Sequence, residues 1–469
     1  MSSQLKNEGL VESILGNSNC FYSFSRYRYV LEGTFMKRFY VLFLSLILVC
    51  GLFAGCKKSG GGKEAAQDNS EKHITLFNVK SEVNTQIEEL AAAYTAETGV
   101  EVTVLSVQAG VDASATIKGY YLSDQMPDII ACEASGFGNW EGLLVDMSDQ
   151  DWASRTSAAY VDANYGTIGF PYTTEAIGLA YNADILSKCG VDPASITGPD
   201  ALRSAFEKVD ANKEALGLKA VVGYYAEPKD LGWSAGNHIF GAYLDSGLGR
   251  DDSTYIDGLA ENNKVDSSRF MDYAAMIGMF NQYSDPEFIT TGTYDQQVEN
   301  FAAGKYAFIT QGSWIGASLT GNFSSQYQAA GSFKVGMVPY AFEDGMDTIM
   351  TSAPQWWAVP KEGNVEEALA FLQWCSEDKG QQMLVENAGF VSPFTDCQYV
   401  ANDPFAQTIS DYIAADKTSN WHWMQLPEGC GNSDDGLCYC FYEYAAGEVD
   451  ANGFMNRVNG VIADYYARQ

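Results

Sequence analysis

Apolar and polar residues alternate in two short segments between residues 74 and 105. Residues 74–79 (Ile-Thr-Leu-Phe-Asn-Val) and residues 100–105 (Val-Glu-Val-Thr-Val-Leu) follow a period of two, which predicts β-strands. Between them, residues 81–97 carry apolar side chains at helical spacing, and Thr98-Gly99 predicts the end of that helix. Residues 74–105 are therefore predicted to form a strand, a helix and a second strand.

The same reading continues downstream. Residues 112–124 and 365–376 have the spacing of helices, and residues 127–130 form a short apolar run typical of a buried strand. Strands that alternate with helices indicate an α/β fold, with a parallel sheet covered by helices on both faces.

The N-terminal region has the pattern of a secretory signal peptide. Met36-Lys37-Arg38 is followed by sixteen uncharged residues, 39–54, whereas a bilayer-spanning helix needs about 20. We interpret residues 1–56 as a leader with Met36 as its start, and the polar residues 57–72 as a flexible tether.

The end of the apolar run, Leu52-Phe53-Ala54-Gly55-Cys56, resembles the lipobox of bacterial lipoproteins. That resemblance implies that the Cys56 thiol carries lipid and that Cys56 becomes the mature N-terminus. Phe53 departs from the usual leucine of the motif. An ordinary uncleaved anchor is the alternative.

Charge and composition exclude several classes of function. The 469 residues include 60 acidic and 28 basic side chains, a formal charge of −32, and the part after Cys56 carries −34. Such a surface repels phosphate backbones, so nucleic-acid binding is excluded. With 62 aromatic residues against three histidines, recognition by stacking is favoured over acid/base chemistry, and we expect no cofactor, no metal and no enzymatic activity.

Seven cysteines follow Cys56, an odd number that leaves at least one thiol outside any intramolecular disulfide. Cys430, Cys438 and Cys440 are close enough in sequence for one local disulfide. A zinc site there would need a fourth ligand, for which His422 is the nearest histidine, and we do not predict one.

Several segments together resemble the extracellular solute-binding proteins of family 1, the maltose-binding-protein-like class. The most specific is Ile-Gly-Phe-Pro-Tyr-Thr-Thr-Glu-Ala-Ile-Gly-Leu-Ala-Tyr-Asn at 168–182, which is similar to the first crossing between the lobes of that family. The other matching segments occur in the family's order: 87–104, 126–130, 301–314, 335–339, 358–361 and 389–393.

This resemblance implies a periplasmic-binding-protein-like α/β fold, with two discontinuous lobes, a cleft between them and a hinge. By motif order, one lobe comprises residues 73–176 and 351–402, and the other comprises 177–350 and 403–469. A ligand is expected between the lobes, beyond the carboxyl ends of the strands.

The resemblance also implies which side chains contact the ligand. It places a ligand-binding carboxylate at Glu175, beside Tyr172, and a stacking aromatic ring at Trp314. Further candidates by motif position are Trp233, Trp356, Trp357 and Trp423. Residues 131–136 lack an aromatic/acid pair that the family sometimes has there, and Asn139 and Trp140 are the candidates to replace it. Only one of Trp356 and Trp357 can face the cleft, because they are neighbours in a strand.

Other residues that attract attention have structural interpretations. Trp152 and Trp374 are assigned to the core or the surface, and Asn182 to the cap of the following helix. The segment 448–453 is faintly similar to a calcium loop, but position twelve would be Asn459 where a bidentate glutamate is required, so we interpret it as the cap of the last helix.

The residues in the segments that resemble the solute-binding family narrow the class of ligand. Six arginines follow Cys56, and none lies in these motifs, which disfavours anions that need a guanidinium anchor. We predict a monomeric, lipid-anchored receptor outside the cytoplasm that binds a neutral carbohydrate, with an ABC-type permease as its partner. The alternatives are a receptor for a cation such as a polyamine and a secreted carbohydrate-active enzyme.

Overall fold

The predicted strand-helix-strand opening is confirmed in the computed structural model. β1 (His73–Asn78) pairs in parallel with β2 (Glu101–Ser106), and α1 (Asn84–Thr98) connects them. Gly99 ends α1 with a φ of 77°, a left-handed conformation in which glycine avoids the steric penalty of a side chain.

The structure describes residues 72–108 and 111–468. The leader, the lipid-attachment candidate Cys56 and the tether up to residue 71 lie outside the described residues. In the part of the chain that is described, no helix combines the length and the apolar character of a membrane span.

One four-stranded sheet combines three strands from residues 130–171 with one strand from a later part of the chain. Its order is β3 (Ile130–Cys132), β12 (Trp356–Ala358), β5 (Gly166–Pro171) and β4 (Tyr160–Asp162), with antiparallel neighbours. Ile129 bridges to β1 in parallel, so this sheet and the β1-β2 pair form one lobe, which we call the N-lobe.

A second four-stranded sheet defines the C-lobe. Its order is β10 (Val335–Val338), β7 (Leu179–Asn182), β9 (Tyr306–Ile309) and β8 (Ala220–Gly223). Only β8 and β9 are parallel in this sheet. The prediction of a parallel sheet therefore holds for β1-β2, for β8-β9 and for one pair of the connecting sheet described next. It is wrong for the other pairs, because strands that return from distant parts of the chain enter in the opposite direction.

A three-stranded connecting sheet joins the lobes, with the order β13 (Thr418–Ser419), β11 (Ile349–Ser352) and β6 (Glu175–Ile177). In the chain, β6 lies between β5 of the N-lobe and β7 of the C-lobe. β11 lies between β10 of the C-lobe and β12 of the N-lobe. Both strands thus cross between the lobes, which confirms the predicted fold of two discontinuous α/β lobes.

Helices pack against the sheets and supply many of the buried apolar side chains. Those after α1 are α2 Ala113–Leu122, α3 Ala183–Lys188, α4 Pro199–Asp210, α5 Lys213–Leu216, α6 Phe240–Asp245, α7 Thr254–Asn262, α8 Ser267–Tyr283, α9 Tyr294–Ala302, α10 Ile315–Thr320, α11 Ser324–Ala329, α12 Val365–Cys375, α13 Asp378–Gln382, α14 Ala406–Ala414, α15 Leu437–Ala445 and α16 Ala451–Tyr466. Short 3₁₀ turns include Ser81–Val83, Ala134–Trp140 and His422–Gln425, and the segments Trp233–Ile239 and Met383–Asn387 are π-helical.

The structural interpretations made for individual residues are confirmed. The side chain of Asn182 accepts a hydrogen bond from the Ile185 amide at the start of α3, and Asp450 does the same for Gly453 at the start of α16. Trp152 and Trp374 are both buried in the core. Each cap satisfies a backbone amide that has no partner within its own helix.

The local disulfide allowed by the sequence does not form. Cys430, Cys438 and Cys440 are free, buried thiols. Cys438 and Cys440 lie two residues apart on α15, a spacing at which side chains point away from each other. The Cys438 thiol instead donates to the Ser433 carbonyl.

Candidate functional site

Glu175 begins β6 and is buried, with 5% of its surface exposed. Lys80, which follows β1, donates a hydrogen bond from Nζ to Glu175 Oε1 at 2.6 Å. Burial raises the pKa of Glu175, and Lys80 offsets only part of that effect. Burial alone would lower the pKa of Lys80, but Glu175 and Glu82 outweigh it and the pKa is raised. This buried ion pair links the N-lobe to the connecting sheet.

Three more polar side chains meet near this pair. Tyr172 Oη donates to Gln355 Oε1 at 2.9 Å, and Gln355 Nε2 donates to Glu133 Oε1 at 3.4 Å. The Tyr172 ring stacks on Trp357, with centroids 4.5 Å apart. Because Lys80, Glu133 and Tyr172 follow β1, β3 and β5, they lie where small molecules bind in open α/β sheets. We call Lys80, Glu133, Tyr172, Glu175 and Gln355 the polar face.

Four tryptophans of the C-lobe side surround one histidine. The centroid of the His238 ring lies 5.3 Å from Trp233, 4.9 Å from Trp314, 5.8 Å from Trp421 and 5.0 Å from Trp423. We call these five residues the tryptophan cluster. It gathers three of the predicted candidates, Trp233, Trp314 and Trp423, from segments that are far apart in sequence.

A π-helical segment, Trp233–Ile239, explains how Trp233 and His238 come together. The hydrogen bonds of a π-helix join residues five apart, so residues 233 and 238 lie on the same side. Gly236 in this segment packs so closely on the Gly431 backbone that an added Cβ would lie 1.8 Å from the Gly431 oxygen. The backbone around Gly431 therefore packs directly against the π-helix.

Hydrogen bonds and a glycine fix Trp314. Its Nε1 donates to Gln311 Oε1 at 3.1 Å, and the ring folds back over Gly312, where an added Cβ would lie 2.1 Å from the ring. The neighbouring Ser313 bonds Ala176 of β6 twice, through its amide at 2.9 Å and its hydroxyl at 3.0 Å. These bonds bring Trp314 beside Glu175.

The polar face and the tryptophan cluster are thus adjacent. Glu175, Trp314 and Asp403 line a common cavity of about 20 Å³, far smaller than the roughly 300–1,000 Å³ of ligand pockets. Burial, and next the positive charge of Lys80, lower the pKa of His238 to about 3, so its ring is neutral at physiological pH. The two surfaces pack almost directly on each other in this arrangement of the lobes.

The remaining candidates lie at the edge of this site or outside it. Trp356 packs against Phe137 and Tyr160 and donates from Nε1 to the Ala158 carbonyl at 2.7 Å, in the core of the N-lobe. Trp140 is buried against Tyr121. Of the two neighbours in β12, Trp357 therefore packs against Tyr172 of the polar face. Trp356 contacts neither the polar face nor the tryptophan cluster.

Asn139 belongs to a contact between the lobes. Its Nδ2 donates to Glu428 Oε2 at 3.0 Å, and the same carboxylate accepts from Ser114 Oγ at 2.6 Å and from Lys118 Nζ at 2.9 and 3.0 Å. Burial alone would raise the pKa of Glu428, but these donors lower it. Three donors of the N-lobe thus converge on one carboxylate that follows the C-lobe turn His422–Gln425.

Sequence reasoning missed Lys80, Glu133, His238 and Gln355. A usable signal existed for Lys80 and Glu133, because each is the first charged residue after a buried strand and so lies at a carboxyl end. His238 had none, since a spacing of five from Trp233 matches neither the helical nor the strand period.

A larger depression lies elsewhere on the C-lobe. Its volume is about 680 Å³, and its lining is polar and mainly acidic: Gly249, Arg250, Asp251, Asp252, Ser253, Thr254, Asp257 and Asp416. It holds none of the predicted residues and lacks an aromatic ring. Within the described ranges, no group of three or more His, Cys, Asp or Glu side chains is arranged to hold a metal ion.

Known proteins resemble this chain over most of its length. The melibiose/raffinose/stachyose-binding protein MelE of Bacillus subtilis is 22% identical over 393 residues, which cover 78% of this chain and 84% of MelE. A maltooligosaccharide ABC transporter solute-binding lipoprotein of Streptococcus pneumoniae is 24% identical over 384 residues, which cover 79% of this chain and 84% of that protein.

Solved structures show the same fold. The complex of RafE with raffinose superposes with a TM-score of 0.67 at 18% identity, covering 84% of this chain and 99% of RafE. A Bacillus licheniformis sugar transporter protein in complex with stachyose superposes with a TM-score of 0.65 at 17% identity, covering 85% of this chain and 100% of that protein.

The family model described as bacterial extracellular solute-binding protein matches residues 89–412. That range runs from α1 to α14 and includes most of the polar face and both Trp233 and Trp314. The resemblance read from the sequence is thereby confirmed: the chain belongs to the bacterial extracellular solute-binding protein family.

Proposed function

We propose that this protein captures a neutral oligosaccharide between its two lobes and delivers it to an ABC-type permease, without catalysis of its own. The observation that carries the proposal is the tryptophan cluster facing the polar face. Indole rings cover the apolar face of a sugar, while carboxylate and amide groups bond its hydroxyls. The proteins similar to this chain are named for, or were solved with, raffinose, stachyose and maltooligosaccharides, which supports an oligosaccharide as the ligand.

The lobes must separate to admit such a ligand, because the cavity between Glu175 and Trp314 has a volume of only about 20 Å³. We propose that they divide at the crossings, into residues 73–176 with 351–402 and residues 177–350 with 403–469. The positions of β6 and β11 in the connecting sheet support this division. Hinge closure around the ligand is the motion that this geometry favours.

Calorimetry with the chain from residue 57 onward tests the ligand class. Raffinose, stachyose and maltotriose are titrated in parallel with spermidine. We expect a sugar to bind and spermidine to fail. Tight binding of spermidine without any sugar would instead favour the cationic ligand, which the carboxylates of Glu82, Glu133 and Glu175 also suit. Release of reducing ends from a bound glycan would favour an enzyme.

We further propose that lipid on Cys56 anchors the receptor at the outer face of the membrane, as a monomer. Replacing Cys56 by serine, which removes the thiol that carries lipid, is expected to release the protein from membranes into the soluble fraction. Retention of the Cys56→Ser protein on membranes would contradict the anchor.

A further inference from the structure

Three buried nitrogen atoms of the tryptophan cluster lack a hydrogen-bond partner among the described residues: His238 Nδ1, Trp421 Nε1 and Trp423 Nε1. Both tryptophans are 3% exposed, and the two rings lie 6.0 Å apart. A buried polar group left without a partner costs about 1–3 kcal/mol. The rings that carry these three groups lie within 6.0 Å of one another, centroid to centroid, so one partner can serve all three.

The other two tryptophans of the cluster differ from them. Trp233 Nε1 donates to the Asp230 carbonyl at 2.8 Å, and Trp314 Nε1 donates to Gln311. The fold thus satisfies the polar atoms of Trp233 and Trp314 and leaves their rings as stacking surfaces. It does not satisfy those of Trp421 and Trp423.

His422, which lies between Trp421 and Trp423 in the chain, shows that this segment can satisfy its polar groups internally. Its Nδ1 bonds Asp245, and its backbone amide donates to Asp245 Oδ2 at 2.9 Å. Within residues 421–423, the missing partners are therefore those of the two indoles beside His238.

The chemistry of the three nitrogen atoms selects the partner. An indole can only donate, whereas a neutral imidazole offers one donor and one acceptor. A hydroxyl group both accepts and donates, so it suits two indoles and one imidazole. An ammonium group only donates, so it cannot accept from the two indole N–H groups. The positive charge of Lys80, which acts on His238, would also repel it.

We propose that His238, Trp421 and Trp423 form a hydroxyl-reading subsite, in which the two indoles donate to ligand hydroxyls and the His238 ring bonds another. This inference rests on the proposed function and narrows its ligand to a polyhydroxylated, uncharged ring. Trp233 and Trp314 would stack on the apolar face of that ring, while the subsite bonds its edge.

The test compares Trp421→Phe, Trp423→Phe and His238→Phe by calorimetry on the full chain, with raffinose and stachyose as probes. Phenylalanine keeps an aromatic ring and removes the ring nitrogen atoms, and at positions 421 and 423 it also replaces the indole with a smaller ring. Loss of one hydrogen bond is expected to weaken sugar binding about three- to tenfold per variant. Trp152→Phe is the matched control, because Trp152 Nε1 is also buried without a partner among the described residues but lies in the N-lobe core, and its affinity should not change.

A second measurement separates a lost contact from a damaged fold. In protein labelled with ¹⁵N at tryptophan, the indole signals missing from the Trp421→Phe and Trp423→Phe spectra identify each residue. Both signals should shift when sugar is added. Sugar binding with unchanged affinity in all three variants and unmoved signals would overturn the subsite and leave the proposed function intact. Failure of the unmodified chain to bind either sugar would overturn both.

Discussion

The polar face and the tryptophan cluster differ in how their polar groups are satisfied. On the polar face, Lys80 bonds Glu175, and Tyr172 bonds Gln355, so folding itself completes the network. In the tryptophan cluster, His238 and Trp421 keep nitrogen atoms without partners among the described residues. A network completed by folding contributes to stability, whereas unsatisfied groups become favourable only when a ligand arrives.

This comparison predicts that substitutions on the polar face change the free energy of unfolding even without ligand, in addition to any effect on ligand affinity. Substitutions in the tryptophan cluster should mainly change ligand affinity.

The largest effect is expected for Lys80→Met. It leaves the Glu175 carboxylate buried without its partner, which should lower the free energy of unfolding at pH 7 by about 3–5 kcal/mol. Urea denaturation measures this change. In Lys80→Met with Glu175→Gln, both charges are gone and most of the loss should be recovered. A double variant as unstable as the single one would show that the ion pair is not the cause.

The pH dependence of the same variant has a definite sign. Burial already raises the pKa of Glu175 above the ordinary 4.5, and removal of Lys80 raises it further. A protonated carboxyl needs no cationic partner, so the penalty is present above the raised pKa. It should fade as the pH falls through that value toward 4.5. A penalty that is the same at pH 4 as at pH 7 would contradict this account.

A smaller effect is expected for Asp403→Asn, in the cavity shared by Glu175 and Trp314. Burial, reinforced by Glu175, raises the pKa of Asp403 to about 7. Because this value exceeds the ordinary 3.8, ionisation of Asp403 destabilises the fold increasingly as the pH rises from about 4 to about 7, and the full cost is present above pH 7. The asparagine oxygen can still accept from the Phe405 amide. The variant should gain about 1–3 kcal/mol at pH 8 and little at pH 4; an equal gain at both values would rule out titration of Asp403.

Trp314→Ala tests the other half of the comparison. Removal of the stacking ring should weaken sugar binding at least tenfold, about 1.4 kcal/mol, while circular dichroism shows an intact fold. The control is Trp374→Ala in the N-lobe core, which should lose stability and keep its affinity for sugar. Unchanged affinity in Trp314→Ala would assign Trp314 to the core.

The same contrast explains what could be predicted from the sequence. The opening strands and the caps Asn182 and Asp450 depend on neighbours within a few residues, so their patterns are local. The Lys80–Glu175 pair joins residues 95 apart in the chain, and no local pattern records such a pairing. His238 depends on a π-helix that is held by contact with Gly431.

The smallest effect is expected for Glu428→Gln, which alters the contact of Glu428 with Lys118 and Asn139 across the lobes. The Lys118 and Glu428 side chains are 40% and 37% exposed, so water and salt screen this ion pair, and such pairs contribute about 0.2–1 kcal/mol. The loss in the free energy of unfolding should be of this size at low salt and vanish in about 1 M salt, where charges are screened within about 3 Å. Lys80→Met should keep its larger penalty in the same salt, because its ion pair is buried. A loss for Glu428→Gln that matches Lys80→Met and resists salt would mean that the contact between the lobes, and not the polar face, dominates the stability of the closed arrangement.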